Sequence, residues 1–223
     1  MISVAIDGPS GAGKSTVARY TAHKLGYIYV DTGALYRAIA LYLLRNDIKV
    51  EDIAAVENAL NNIKLSLEFG EDGQQVILNG ENVSNLIRTP EVSMLASTSS
   101  ALPQVRAFLL NQQRELAKNN NIIMDGRDIG TVVLPNAQVK IFLTASVEER
   151  ATRRYEELIS KGQDVKYEDI YADIEKRDYQ DSHREIAPLK PAKGAILLDN
   201  TGFEIEQSAA AVAKIINDTL AKV

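Results

Sequence analysis

Cysteine and tryptophan are absent from this chain of 223 residues, and histidine occurs only twice. Without cysteine, the protein can have no disulfide, no thiolate nucleophile, no cysteine-ligated zinc and no iron–sulfur cluster. His23 and His183 lie on predicted helices that are far apart in the sequence, so we assign them surface or capping roles. We therefore expect no chemistry that depends on a cysteine or histidine nucleophile.

Long apolar segments are also lacking. No stretch approaches the roughly 20 apolar residues that span a bilayer, and the start of the chain lacks the basic segment and apolar core of a signal peptide. We therefore expect a cytoplasmic protein with no membrane partner. The chain has 30 acidic and 25 basic side chains, a net charge of −5, which argues against a protein that coats nucleic acid.

The length and composition favour one globular domain with at most one insertion. Hydrophobic residues make up 45% and charged residues 25% of the chain, values that are typical of folded soluble domains. At the N-terminus, apolar β-branched runs at 2–6 and 27–30 alternate with helical spacing at 14–25 and 34–44. This strand–helix alternation predicts an α/β fold with a parallel sheet covered by helices.

The middle of the chain interrupts that alternation. Residues 51–63 predict a helix, and the segments 65–69 and 75–78 predict a hairpin with Asp-Gly in its loop. We therefore predict a small inserted α+β subdomain at 60–98, within a core formed by 1–59 and 99–223. The remaining predicted elements are helices at 103–118, 147–160, 167–183 and 204–221, and strands at 122–125, 139–143 and 195–198.

Residues 8–15, Gly-Pro-Ser-Gly-Ala-Gly-Lys-Ser, match the phosphate-loop pattern G-x-x-x-x-G-K-[ST] in full, between a predicted strand and a predicted helix. The glycines let backbone N–H groups surround an anion, and the positive end of the helix points at it. We predict that Lys14 reaches the terminal phosphates and that the Ser15 hydroxyl ligates Mg²⁺. This loop occurs in switches, motors, DNA-handling ATPases and small-molecule kinases, so it does not assign a function by itself. The arginines help to distinguish among these classes of protein.

Two predicted helices near the C-terminus are rich in arginine: Arg150, Arg153 and Arg154 on the first, Arg177 and Arg184 on the second. The first three crowd like charges onto one face, at a cost that a bound anion would offset; a solvated helix face is the alternative. On the second helix, Asp181 can hold both arginines or bind a sugar hydroxyl. A terminal phosphate brings about −1.5 to −2 charges, so transfer between two nucleotides needs several convergent arginines.

Other phosphate-loop classes fit less well. A guanine-nucleotide switch would carry an Asn-Lys-x-Asp segment, which is absent. A nucleic-acid ATPase would show a basic stripe, whereas the basic residues here are scattered and outnumbered by acidic ones. The segment 31–33, Asp-Thr-Gly, matches the aspartic protease triplet, but its single copy runs directly into a predicted helix. We place it instead in a ligand-binding loop at the carboxyl end of a strand. Asp125 ends another strand, and we predict that it holds Mg²⁺ through water; Asp125 with Asp128 is the alternative metal pair.

Together these segments resemble bacterial cytidylate kinases. The resemblance rests on the phosphate loop, on 31–37, 87–89 and 125–133, and on the arginine-rich tail 177–189, and it covers nearly the whole chain. It implies a P-loop nucleoside monophosphate kinase fold: a five-stranded parallel sheet with flanking helices, the inserted subdomain and a helical lid at about 147–184. The implied reaction transfers the γ-phosphoryl group of ATP to CMP or dCMP, with Mg²⁺.

The resemblance also assigns roles to individual residues. ATP would be bound by Gly8, Pro9, Ser10, Gly11, Ala12, Gly13, Lys14, Ser15, Thr16, Arg150, Arg153 and Arg154. CMP would be bound by Thr32, Arg37, Ser97, Arg106, Arg127, Asp128, Arg177, Asp181 and Arg184. Cytosine would meet Ser97, Arg106 and Asp128. The acceptor phosphate would meet Arg37, Arg127 and Arg184, and the ribose would meet Asp181 supported by Arg177. The catalytic residues would be Lys14, Asp125, Arg127 and Arg184.

A carboxylate is suited to recognising cytosine. The N4 amino group of cytosine donates a hydrogen bond that Asp128 can accept, whereas uracil presents an acceptor at that position. A buried polar group that is left unpaired discriminates strongly between such ligands. Two alternatives stay open: another small-molecule P-loop kinase, and a nucleotide-binding regulator without turnover. In either case we expect a monomer without a nucleic-acid partner.

Overall fold

Five parallel strands form the central sheet of the computed structural model, which describes residues 1–70 and 73–222. Elements are numbered in chain order, and these strands are β1 (Ser3–Asp7), β2 (Ile28–Asp31), β6 (Ile122–Gly126), β7 (Val139–Thr144) and β8 (Ile196–Asp199). Their spatial order is β2-β6-β1-β7-β8, and every pairing is parallel. The predicted α/β class and five-stranded parallel sheet are confirmed.

The register of these strands brings their carboxyl ends to one edge of the sheet. Asp7 lies opposite Gly126 in the β1–β6 pair, and Asp31 lies opposite Asp125 in the β2–β6 pair. Ligands of open α/β sheets bind outside this edge. The acidic residues that end three neighbouring strands are therefore collected where a ligand would bind.

The helices are α1 (Lys14–Leu25), α2 (Thr32–Arg45), α3 (Ile53–Asn61), α4 (Pro90–Ser99), α5 (Pro103–Lys118), α6 (Val147–Ser160), α7 (Tyr167–His183) and α8 (Ile205–Leu220). The bounds of α1, α5, α6 and α7 agree with the prediction. Helix α2 begins earlier than predicted because the Asp31 carboxylate accepts a hydrogen bond from the N–H of Ala34 at 3.0 Å and so caps the first turn. Asp52 caps α3 in the same way, through the N–H of Ala55.

Both faces of the sheet are covered. On one face, Val17 and Ala18 of α1 pack with Val212 and Ile216 of α8 in a cluster that includes inward-facing residues of β1, β6 and β7. On the other face, residues such as Met124 pack with the C-terminal part of α5. The middle residues of β1 and β6 are apolar because both faces of these strands are buried, whereas the edge strand β8 is mostly exposed.

The predicted hairpin at 65–78 is present as β3 (Leu65–Gly70) and β4 (Gly73–Leu78), and a short β5 (Glu81–Asn82) joins it in an antiparallel sheet. The two residues of its predicted turn, 71 and 72, lie outside the described residues. Val76 and Leu78 pack into the same cluster as α2, α3 and α5. The predicted limits of the insertion, 59/60 and 98/99, fall inside α3 and α4, and the division into subdomains stays a prediction.

Helices α6 and α7, the predicted lid, pack on each other through their own apolar cluster. Ala151 and Leu158 of α6 contact Ile170 and Ile174 of α7. This pair has a small core of its own, so its position depends on polar contacts to the rest of the protein. Across the described ranges, no helix combines the length and the apolar character needed to cross a bilayer.

Candidate active site

The phosphate loop connects the carboxyl end of β1 to the first turn of α1. Gly11 and Gly13 have φ angles of 76° and 79°, in the left-handed region that glycine adopts without steric cost. At Gly8, an added Cβ would lie 1.9 Å from the carbonyl oxygen of Leu143 on β7. The loop therefore passes so close to the neighbouring strand that only glycine fits at its first position.

Replacing Gly8 by alanine is expected to lower the free energy of unfolding by about 3 kcal/mol, the upper end for overpacking. The matched control is Gly202→Ala: Gly202 also has a positive φ, but its added Cβ would meet nothing within 4 Å. That control should lose about 1 kcal/mol from backbone strain alone. Denaturant unfolding of both variants measures the difference, and equal losses would contradict the close approach of loop and strand.

Lys14 is folded back over the loop. Its side chain is buried, and Nζ donates a hydrogen bond to the carbonyl of Pro9 at 2.6 Å. Burial, followed by repulsion from Arg127, lowers the pKa of Lys14 to about 7. A buried cation of this kind gains more from an incoming anion than a solvated one does.

Arg150 stabilises the same loop through hydrogen bonds to backbone carbonyls. Its Nη1 donates to the carbonyl of Ser10 at 2.9 Å, and its Nε donates to the carbonyl of Ala145 at 3.0 Å. Nη1 also lies 2.6 Å from the carboxylate of Asp178, and the side chain is only 4% exposed. The structure thus places Arg150 as a buried link between the loop, α6 and α7.

The other two arginines of α6 differ from Arg150 and from each other. Arg153 donates to the carbonyl of Asn200 at 2.9 Å, and the Asn200 side chain donates to the carbonyl of Ala12 in the phosphate loop at 3.3 Å. Arg154 pairs with Glu157 of its own helix at 2.8 Å. The three arginines therefore do not form one face that converges on the loop, and their contact with ATP stays a prediction.

Asp125 joins the phosphate loop to β2. Its Oδ2 accepts from the Ser15 hydroxyl at 2.9 Å, and its Oδ1 accepts from the Tyr29 hydroxyl at 2.8 Å. Its backbone carbonyl accepts from the Thr32 hydroxyl at 2.7 Å. Burial, followed by repulsion from Asp31, raises the pKa of Asp125 to about 6. A nearby cation would reverse that cost by favouring the charged carboxylate.

The chemistry of this pair fits a magnesium ion. Mg²⁺ prefers oxygen ligands and is usually held by one or two protein groups plus water and substrate phosphates. The Ser15 hydroxyl and the Asp125 carboxylate supply such oxygens beside the phosphate loop. Over residues 1–70 and 73–222, no group of three or more His, Cys, Asp or Glu side chains is placed to hold a metal ion.

Beyond the phosphate loop, three arginines and two aspartates form one network. Arg127 Nε donates to Asp181 Oδ2 at 2.7 Å, and Arg184 lies 3.7 Å from Asp181 and 3.8 Å from Asp128. Arg106 makes an ion pair with Asp128, and both side chains are buried. Burial alone would raise the pKa of Asp181, but Arg127 and then Arg184 hold it below its ordinary value. The Asp181 carboxylate is thus ionised, and it orients the guanidinium groups of Arg127 and Arg184.

Two guanidinium nitrogens of this region are buried without a hydrogen bond. Nε of Arg37 and Nη2 of Arg184 have no hydrogen-bond partner among the residues that the structure describes. Buried donors are nearly always paired in native proteins. Both atoms belong to residues predicted to hold the acceptor phosphate, and a bound anion could supply the acceptor that each of them lacks.

Arg106 and Asp128 form a buried ion pair where the sequence predicts the cytosine. Arg106 Nη1 donates to the carbonyl of Ser100 at 3.0 Å, and its Cζ lies 5.6 Å from the centroid of the Tyr36 ring. Ser97 is half-buried on α4, and its carbonyl accepts from the Ser100 hydroxyl at 2.9 Å. Direct contact of Ser97 with the base stays a prediction.

A π-helical turn, Ile129–Val133, follows Asp128 directly. Both oxygens of the Asp7 carboxylate accept hydrogen bonds from it, from the N–H of Ile129 and the N–H of Gly130, each at 2.7 Å. Burial is the main reason that the pKa of Asp7 is raised to about 6. Asp7 thus ties the strand that enters the phosphate loop to the turn that carries Asp128.

Arg177 occupies a different position from the predicted one. The sequence pairs it with Asp181, but its Nη1 lies 3.8 Å from Asp173 and its Nη2 donates to the carbonyl of Ser93 on α4 at 3.2 Å. It acts on Asp181 only as a nearby charge that lowers the pKa of that carboxyl. The spacing of charges along the helix did not reveal this because Ser93 comes from the insertion.

Comparison with known proteins identifies the family of this chain. Residues 4–218 match the family model described as cytidylate kinase. The chain belongs to the cytidylate kinase family. It is 50% identical over 220 residues to the cytidylate kinase of Carboxydothermus hydrogenoformans, covering 97% of this chain and 99% of that protein. It is 51% identical to the cytidylate kinase of Lactiplantibacillus plantarum, covering 96% and 94%.

One solved structure supports the fold alone. An uncharacterized protein from Eubacterium ventriosum superposes with a TM-score of 0.54 at 12% identity, covering 97% of this chain and 98% of that one. The resemblance read from the sequence, to cytidylate kinases with a P-loop kinase fold, is thereby confirmed at the level of the family.

Sequence reasoning overlooked several residues of this cytidylate kinase site. Tyr36 and Ser100 were not singled out because their signal is a contact with Arg106 that the folded chain alone creates. The segment 31–33 was assigned to a ligand-binding loop, but the role of Asp31 as an N-cap was missed because the predicted helix began at residue 34. Asp7 had only a weak local signal, as the residue that ends β1 ahead of the phosphate loop.

Proposed function

We propose that this protein transfers the γ-phosphoryl group of ATP to CMP or dCMP and releases ADP and CDP or dCDP. The observation that carries the proposal is the pair of buried guanidinium nitrogens on Arg37 and Arg184, which have no hydrogen-bond partner among the described residues. Arg184 shares Asp181 with Arg127, and the charge of Arg127 helps to lower the pKa of the buried phosphate-loop lysine, Lys14. The site is therefore supplied with cationic donors on two sides, as transfer between two nucleotides requires.

On the donor side, the backbone N–H groups of residues 8–16 surround the phosphates and Lys14 neutralises their terminal charge. Ser15 and Asp125, the latter through water, would hold Mg²⁺, which neutralises charge on the β- and γ-phosphate oxygens when bound. Arg153 steadies the loop through Asn200. Arg150 contributes by fixing the Ser10 carbonyl rather than by reaching into the solvent.

On the acceptor side, Arg37, Arg127 and Arg184 hold the phosphate of the monophosphate. Their guanidinium groups position its attacking oxygen and offset the repulsion between two anionic substrates. Phosphoryl transfer needs little covalent chemistry from the protein, so this positioning and charge stabilisation supply most of the rate enhancement. Asp181 binds the ribose, with Arg177 as a neighbouring charge and Thr32 beside it at the start of α2.

The base is recognised by Arg106 and Asp128, together with Ser97. The buried carboxylate of Asp128 accepts from the N4 amino group of cytosine, and the acceptor at that position of uracil is disfavoured. Arg106 orients Asp128 through their buried ion pair. The lid at 147–184, the monomeric state and the cytoplasmic location stay predictions.

A panel of acceptors tests the proposal. With Mg²⁺ and ATP, CMP and dCMP should turn over faster than UMP, AMP, GMP, shikimate or dephospho-coenzyme A, and chelation of Mg²⁺ should stop the reaction. ATP hydrolysis without an acceptor should be slow, because a closed site excludes water. A different preferred acceptor would refute the substrate assignment, and tight CMP binding without CDP formation would favour a regulator.

A further inference from the structure

One side chain of the antiparallel sheet β3–β4–β5 contacts the acceptor side of the site. Gln74, near the start of β4, accepts a hydrogen bond from the backbone N–H of Asp31 at 2.8 Å and donates to the backbone carbonyl of Asp31 at 3.3 Å. This pair of bonds reproduces what a neighbouring strand would offer. Because β2 is an edge strand of the five-stranded sheet, Gln74 takes the place of a strand on an otherwise open edge.

The carboxylate of Asp31 in turn contacts two arginines. Its Oδ2 lies 2.8 Å from Nη2 of Arg37 and 3.4 Å from Nη2 of Arg88. Its Oδ1 is occupied by the N–H of Ala34. The carboxylate is buried, with 7% of its side chain exposed, and it acts on Arg37 in an environment that screens charge poorly. Arg88 is 62% exposed, so solvent weakens its attraction to the same carboxylate.

Arg88 comes from the C-terminal part of the insertion. The residue before it, Ile87, is 1% exposed and packs with Val76 and Leu78 in the core shared with α2. The insertion therefore contacts Asp31 twice: Gln74 binds its backbone, and Arg88 binds its carboxylate. The two contacts together fix both the position and the orientation of Asp31.

We propose that Gln74 is a positioning residue for the acceptor phosphate. It fixes the backbone of Asp31, and the Asp31 carboxylate then orients Arg37, whose Nε is left for the phosphate. The insertion thereby organises the acceptor side of the site without touching the reacting atoms. This inference rests on the proposed function, since it takes Arg37 as a ligand of the acceptor phosphate.

The test is Gln74→Leu, which removes both hydrogen bonds at similar side-chain size. We expect the KM for CMP to rise about tenfold, equivalent to about 1.4 kcal/mol, with the KM for ATP within about twofold. Cytidine lacks the phosphate, so its inhibition constant should not change. Gln74→Asn keeps the amide but is one methylene too short to reach Asp31, and it should behave like Gln74→Leu.

The matched control is Gln75→Leu on the same strand. Gln75 is also half-buried but points to the other face, where it accepts from Asn82 at 3.0 Å, so its loss should leave the KM for CMP unchanged. The inference is overturned if both Gln74 variants keep the wild-type KM, if Gln75→Leu gives the same rise, or if cytidine binding weakens equally. Calorimetric binding of CMP gives the same comparison without turnover, which separates this inference from the proposed reaction.

Discussion

Replacing Lys14 by alanine is expected to lower kcat for CMP by about a thousandfold, at the upper end of what removal of one transition-state donor costs. Lys14 is the cation nearest to the loop carbonyls, with Nζ 2.6 Å from the carbonyl of Pro9. No other lysine lies within residues 8–16 to replace it. Steady-state kinetics with saturating ATP and CMP measure the loss.

The matched control for this variant is Lys24→Ala. Lys24 is exposed in the last turn of the same helix, so the net charge changes equally while the phosphate loop stays intact. We expect wild-type kcat from the control and a folded protein from both, because alanine at position 14 removes a charge whose burial is unfavourable. A kcat within tenfold of wild type for Lys14→Ala would contradict the role of this lysine.

Replacing Asp128 by asparagine should reduce the preference for CMP over UMP by about a hundredfold, since a polar site built for one partner rejects the other by factors of this size or more. The asparagine amide keeps the shape of the carboxylate, but it can rotate to donate to the uracil acceptor. Alanine at position 128 should have the same effect on preference and should also destabilise the fold by about 3 kcal/mol, since buried Arg106 loses its partner.

Asp181→Asn provides the contrast within the same network. Asp181 holds Arg127 and lies near Arg184. We propose that these arginines bind the phosphate and that Asp181 binds the ribose, so none of the three is expected to contact the base. Its replacement should lower kcat/KM for CMP and for UMP by the same factor. The ratio of kcat/KM values for the two nucleotides is the deciding measurement. An unchanged ratio in Asp128→Asn, or a changed one in Asp181→Asn, would move base recognition to other residues.

The Lys14 and Lys24 variants test the proposed ATP side of the site, and the Asp128 and Asp181 variants test the proposed CMP side. In the proposed reaction Lys14 acts on the donor phosphates, which are the same for every acceptor, so its loss should leave the preference for CMP intact. Asp128 is proposed to act on the base, so its loss should leave ATP binding intact. Asp7 is the structural link between them, because it ends the strand that leads to the loop and holds the turn that follows Asp128.

Local patterns were sufficient for most of the secondary structure. Helices α1, α5, α6 and α7 have the predicted bounds because their apolar spacing and their end signals are contained within each segment. The π-helical turn at Ile129–Val133 was not predicted because its stabilising partner, Asp7, lies more than a hundred residues earlier in the chain. Short β5 was overlooked because two residues carry no periodicity.

The sequence by itself determined the phosphate loop and the family, because both depend on motifs of contiguous residues. The alternation of strands and helices also predicted a parallel sheet, although its strand pairs, such as β1 with β6, join distant segments. Only the tertiary structure decided which partner each arginine takes. Arg150 turns inward to Ser10, Arg177 reaches Ser93 of the insertion, and Asp31 gathers Arg37 and Arg88. The physical reason is that a buried guanidinium pairs with whichever oxygen the fold brings within reach, and that oxygen comes from a distant part of the chain.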